Sequence, residues 1–190
     1  SVKAVDVMDL AGSDRVVVSI GSPDDELRTA CVPGLFFTNP SEGMLAEALV
    51  RWRQERPETS ARSLAWHPLF LKYAARDLNK RYKTRFNESM DSEAWAGWAA
   101  ARIFGEAFIS GNAKTPESTA LFFRDRLSFD GQKGTALSFR SDGQLRQVIL
   151  LVEDDVIVGE LPRGTDTAAI LGQSTGTRCP VNSSKVEERS

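Results

Sequence analysis

Arg15-Val16-Val17-Val18-Ser19-Ile20-Gly21-Ser22-Pro23-Asp24-Asp25-Glu26 is the stretch that decides the fold class of this 190-residue chain. A β-branched run that ends at Gly-Ser-Pro reads as a buried strand delivering a turn. Helix signals follow at once: Ser22 can cap, and Pro23 suits the first helical position. Asp24, Asp25 and Glu26 then set carboxylates on the positive end of a short helix reaching about Ala30. Strand, turn and helix in that order open an α/β unit.

The same alternation continues outward. Leu35-Phe36-Phe37 reads as a second brief strand, and Asn39 with Glu42 three residues on repeats the start signal of a helix. Leu45, Ala48, Leu49 and Trp52 form its apolar face, and it should stop before Pro57. After a polar loop from Glu55 to Arg62, Trp66-His67-Pro68 opens a long helix with Leu71, Ala74, Ala75, Leu78 and Tyr82 at helical spacing. Asp91 or Ser92 caps the next, a central helix in which Trp95, Trp98, Ala99, Arg102, Ile103 and Ala107 recur at three and four. Thr115-Pro116-Glu117 starts one more, with Leu121, Phe122 and Leu127 for the core. Beyond Gly131 and Gly134 the period becomes two, over 136–140, 145–152 and 156–161, which predicts a three-stranded antiparallel meander. The expectation is a single α/β domain over 1–172 and a polar tail over 173–190.

Composition removes several function classes. Lys and Arg number 24 against 26 Asp and Glu, so the net charge of -2 offers nothing to neutralise a phosphate backbone, and nucleic-acid binding is not expected. The longest apolar stretch, Val148 to Val152, is too short to span a bilayer. Ser1 to Leu10 lacks a basic head followed by an apolar run, so any export signal is expected to have been removed. His67 is the one histidine, which leaves an acyl-transfer site no second imidazole and no visible nucleophile with a partner; the chain is expected not to be an enzyme. The two cysteines, Cys31 and Cys179, form no CxxC pattern. They are either two buried thiols or a disulfide tying the tail to the first third of the chain.

Asp24-Asp25-Glu26-Leu27-Arg28 followed by Cys31, Phe36-Phe37-Thr38-Asn39-Pro40-Ser41, Trp66-His67-Pro68, and Gln144-Leu145-Arg146-Gln147 after Phe139-Arg140 occur in an order that resembles the substrate-binding proteins of ABC transporters. The resemblance is to the type I periplasmic fold of the branched-chain amino acid kind, and within it to the branch associated with PQQ-dependent alcohol dehydrogenase systems. Asp91 to Trp98 and Cys179 also fit. It implies a single Rossmann-like lobe, a periplasmic location and a non-enzymatic accessory role around PQQ-dependent alcohol oxidation. Members of that family are about twice this length and close two lobes on a ligand, so this chain is expected to be a shortened, open form. An open crevice is often covered by another chain, hence a homodimer or protein partner is expected. Cys31 and Cys179 are expected to be linked.

Ligands of open α/β sheets sit beyond the carboxyl ends of the strands, which nominates Ser19, Gly21 and Ser22 for a small ligand. Those residues also suit a tight turn and helix cap. Trp66 and His67 suit either a stacking platform for the ligand or a staple fixing the chain's entry. Asp24, Asp25 and Glu26 would repel an anion such as PQQ and attract a hard cation, so binding of a calcium or lanthanide ion is the alternative, with simple helix-dipole pairing beside it. Glu153-Asp154-Asp155 reads as a hairpin turn, and Lys80-Arg81-Tyr82-Lys83 as a solvated helical face.

Overall fold

The computed structural model describes residues 14–21, 23–162 and 179, and shows a mixed α/β chain. Strand β1 (Val17–Ser19) lies parallel to β2 (Leu35–Phe37), with Val17 opposite Leu35 and Ser19 opposite Phe37. A parallel pair needs a crossover, and the short helix α1 (Glu26–Thr29) occupies it. That helix starts later than expected: Pro23 precedes it, and Asp25 stands at the N-cap without a side-chain cap. Asp24 has folded the chain locally first, its Oδ1 accepting the Glu26 N–H at 2.8 Å.

Helix α2 (Glu42–Glu55) ends before Pro57 as expected, but Ser41 rather than Asn39 caps it, its Oγ accepting the Met44 N–H at 3.1 Å. Met44, Ala48 and Trp52 bury its apolar face in a core shared with Ala61, Ile149, Leu151 and Leu161. The last four belong to, or adjoin, an antiparallel sheet ordered β3 (Arg62–Leu64), β6 (Ile149–Glu153), β7 (Val156–Leu161). The C-terminal hairpin is thus present, with β3 as its third strand in place of 136–140. Ala136–Leu137 (β5) instead pairs with Phe129–Asp130 (β4). Phe139 still bridges Leu145 across a turn at Gly143, whose φ is +79°. A Cβ there would stand 2.2 Å from the Leu35 carbonyl oxygen, so β2 passes too close for any other residue.

Pro68 does not open a helix. Residues 68–74 form turns, and α3 (Ala75–Phe86) begins only where Ala75 and Leu78 can enter the core. Asp91 caps α4 (Ser92–Ile109), accepting the Ala94 N–H at 2.8 Å. Trp95, Ala96, Ala99, Ile103 and Ala107 put one side of α4 into the main core, whereas Trp98 is half-buried and Arg102 is exposed. Helix α5 (Pro116–Asp125) starts with the expected Thr115 cap and Pro116. Its Phe122 and Phe123, with Leu127 beyond it, are buried, but Leu121 is not.

Candidate functional site

The carboxyl ends of β1 and β2 emerge side by side, the Thr38 N–H donating to the Ser19 carbonyl at 3.1 Å. Thr38 is fully buried, and its hydroxyl donates at 3.0 Å to the Ala96 carbonyl of α4, which pins the strand ends to that helix. Ser19 is half-buried and Gly21 exposed. A Cβ on Gly21 would stand 3.4 Å from Glu93 Oε1, so the first turn of α4 forms one side of the loop. Ser22 lies outside the described residues.

Beneath these loops is a polar floor that the sequence did not nominate. Arg28 is buried, and its Nε donates to Gln144 Oε1 at 2.6 Å, with further bonds to the Asp24 and Asn39 carbonyls. Its guanidinium also lies 4.2 Å over the Phe37 ring. Burial pushes its pKa down to about 10, and the charges of Asp25 and Asp142 oppose that shift. Gln144 answers with its amide nitrogen to the Asn39 and Leu145 carbonyls, both at 3.1 Å, and with its backbone N–H to Asp142 Oδ1 at 3.0 Å. Asp142 is ion-paired with Arg140. Gln147 Nε2 donates to the Thr38 carbonyl at 2.8 Å, while its Oε1 accepts from Lys133 Nζ at 2.8 Å. Lys133 is buried, and its partners among the described residues include no carboxylate: they are Gln147, the Val148 carbonyl at 3.0 Å and the face of Trp95 at 3.8 Å. Desolvation holds its ammonium well below the usual lysine range. Arg28, Gln144 and Gln147 all sit inside the stretches that carry the family resemblance; Lys133, flanked by glycine-rich chain, gave no local signal.

The other nominated residues are placed differently. Trp66 is 1% exposed, stacks on Trp95 with centroids 5.8 Å apart, and donates its indole N–H to Asn79 Oδ1 at 2.9 Å. His67 is 3% exposed, with Nε2 3.0 Å from Asp155 Oδ1. Its Nδ1 accepts the Leu69 N–H at 3.3 Å, which puts the ring proton on Nε2. Both rings are buried, and their partners belong to α3, α4 and the hairpin turn rather than to the strand-end loops. Pro68 opens no helix, so there is no helix entry there for a staple to fix; Trp66 packs on α4 and His67 is tied to the hairpin turn.

The acidic trio does not converge either. Asp25 Oδ2 accepts the Gly43 N–H at 2.8 Å and so neutralises the start of α2, Asp24 makes its local turn, and Glu26 is exposed. Among the described residues no three His, Cys, Asp or Glu side chains are grouped to hold a metal ion. Glu153, the last residue of β6, ties that strand to the chain entering β3, its carboxylate taking the Ser60 N–H and hydroxyl, bonds that lower its pKa. Open grooves among the described residues lie elsewhere, of about 650 Å³ along Asp77, Lys80, Arg81, Thr84 and Arg85 and of about 490 Å³ between Leu69–Lys72 and β7. Cys31 and Cys179 are linked across 148 residues of sequence, Cα atoms 5.4 Å apart. Among the described residues no helix is long and apolar enough to cross a membrane.

A mixed α/β lobe with its polar residues gathered at the ends of a parallel strand pair is the class these features define. No family model matches the chain, and no curated protein matches it. Solved structures similar to it include an ABC transporter substrate-binding protein from Sphaerobacter thermophilus, at 14% identity and a TM-score of 0.47 over 78% of this chain and 52% of that one. Another is an ABC-type branched-chain amino acid transporter protein from Rhodopseudomonas palustris, at 18% identity and a TM-score of 0.45 over 78% of this chain and 38% of that one. The chain thus spans about half the length of the first and less of the second.

Proposed function

We propose that this chain is a non-enzymatic binding unit that takes a small polar ligand at the carboxyl ends of β1 and β2. The observation that carries the reading is the pairing of half-buried Ser19 and exposed Gly21 with a floor of Arg28, Thr38 and Gln144 whose rotamers are fixed by hydrogen bonds. A ligand arriving there meets a hydroxyl and backbone groups without reorganising the protein beneath. The disulfide supports a working place in an oxidising compartment, which agrees with the periplasmic location that the sequence resemblance implies. On that resemblance alone rests the finer part of the proposal, an accessory role in PQQ-dependent alcohol oxidation.

The test is native mass spectrometry of the protein purified from its own host without denaturation. A small-molecule adduct that disappears in Gly21→Leu is expected, since a side chain there enters the loop mouth and meets only the movable end of Glu93. A bare chain, or an adduct that Gly21→Leu leaves in place, would sink the assignment.

A further inference from the structure

Two helices of this chain set an arginine one turn from a glutamate and pair them: Arg51 with Glu47 on α2, and Arg102 with Glu106 on α4. Helix α3 does the reverse. Arg76 and Lys80, and again Arg81 and Arg85, stand four apart, the spacing at which like charges repel, and Arg76 lies in the first turn, at the positive end of the helix dipole. Lys83 closes the other end, its Nζ donating to the Asn87 carbonyl at 3.2 Å. All five cations are exposed, and among the described residues none of them forms an ion pair. Against Asp77 they give α3 a net charge of +4, while the whole chain carries -2, so the rest of the molecule sums to -6. Ala75 and Leu78 are the buried side of α3. On its outer side Asp77, Lys80, Arg81, Thr84 and Arg85 are related by steps of three and four and line the open groove of about 650 Å³. Cations gathered in a groove on an otherwise acidic molecule focus their field on an anionic partner.

We propose that this groove docks an Asp- and Glu-rich segment of another protein, laid along α3 from Lys80 to Arg85. Charge complementarity selects the occupant: carboxylates placed there relieve the repulsion between Arg81 and Arg85 and supply the partners that Glu47 and Glu106 supply on the other helices. A bilayer surface fits less well, because a helix that binds lipid turns an apolar face outward, and α3 turns its apolar face into the core. A lone small anion fits less well too, since every residue lining the groove is exposed and would have to be ordered for one charge. A run of carboxylates on one chain engages several cations at once and gains from each after the first. Asp77 sets the register. It is a carboxylate at the N-terminal end of the groove, so the acidic run keeps clear of it and meets Lys80, Arg81 and Arg85.

This inference stands apart from the ligand reading and is tested separately, on the 190-residue chain with a fluorescein-labelled polyglutamate peptide followed by anisotropy. Binding should be present at about 0.05 M salt and weaken steeply towards about 0.2 M. Lys80→Ser, Arg81→Ser and Arg85→Ser together should weaken it at least about tenfold at the lower salt, with helical content unchanged by circular dichroism. Arg15→Ser, Arg53→Ser and Lys114→Ser together remove three exposed cations elsewhere and should leave it within about twofold of wild type. Asp77→Asn should tighten it. Thr84→Cys adds a single thiol to a chain whose own cysteines are bonded, and a photoreactive label there should crosslink the peptide in a groove that keeps all its cations. No binding at the lower salt overturns the proposal, and so does a loss in the scattered variant as large as in the α3 variant. Phosphatidylglycerol vesicles that sediment the protein, and cease to in the α3 variant while the peptide stays unbound, would make the occupant a lipid surface and overturn it as well.

Discussion

The core around α4 and the polar layer under the strand ends are both closed to water, yet they are held by different physics. Around α4, Trp66 stacks on Trp95, and Phe36 meets Phe123 and Phe139 with centroids 5.2 and 4.9 Å apart. These contacts are summed over area, so no one atom is indispensable but volume is. Under the strand ends, Arg28, Gln144, Gln147 and Lys133 make directed bonds, and each acceptor serves a named donor. Removing one partner there strands the other. The aromatic core supplies stability, and the polar layer fixes the geometry of the two loops above it.

The comparison is sharpest at Trp95, which belongs to both regions: it stacks on Trp66, donates to the Gly131 carbonyl at 3.1 Å and lies under Lys133 Nζ. Trp95→Ala should cost about 3–5 kcal/mol, the usual range for emptying a buried aromatic site, read from urea unfolding followed by circular dichroism. A loss under about 1 kcal/mol would mean that the site collapses and that the two regions are not coupled through this ring.

The polar layer should respond less in energy and more in geometry. Gln144→Leu keeps the volume near Leu145 but leaves the Arg28 Nε and the Asn39 carbonyl without this partner. We expect a loss of about 1–3 kcal/mol, together with faster amide exchange at Thr38 and Asn39, which the bonds to Gln144 and Gln147 now hold. Equal exchange in wild type and variant would show that β2 is positioned by packing alone.

Much of the helical framework was legible from local chemistry. The cap at Asp91, the Thr115-Pro116 start and the spacing of Met44's neighbours Ala48 and Trp52 are decided within four or five residues of themselves. What failed to show was decided far away. Arg62–Leu64 is three residues long with Leu64 as its one apolar side chain, and becomes a strand only because 150–152 lies alongside it. Asn39 has the chemistry of a helix cap, but its carbonyl is claimed by Arg28 and Gln144, and the helix starts two residues later at Ser41. Trp66 and His67 have the residue types of a binding platform; that their rings face Trp95 and Asp155 is a property of packing, which no spacing encodes. For the proposed site, Ser19 and Gly21 were nominated by the strand-end rule, whereas the buried contacts of Arg28 and Gln144 needed tertiary structure to be seen.

The smallest effect per step of the measurement concerns Lys133, where the two regions meet. Among the described residues its ammonium has two oxygen acceptors and a ring face but no carboxylate; desolvation dominates and its folded pKa falls well below 10.5. Between that depressed value and 10.5 the unfolded chain binds a proton that the folded chain does not. Stability should therefore rise with pH across this window, by at most about 1.4 kcal/mol per pH unit, and stop changing on this account below the folded pKa. Lys133→Met removes the charge while nearly keeping the length, and should flatten that slope although it leaves Gln147 Oε1 without its donor. Urea midpoints measured from neutral pH to about pH 10 on both proteins decide it. If the slope persists in Lys133→Met, another group titrates there and the buried ammonium is stabilised by its ring and carbonyls more fully than burial alone allows.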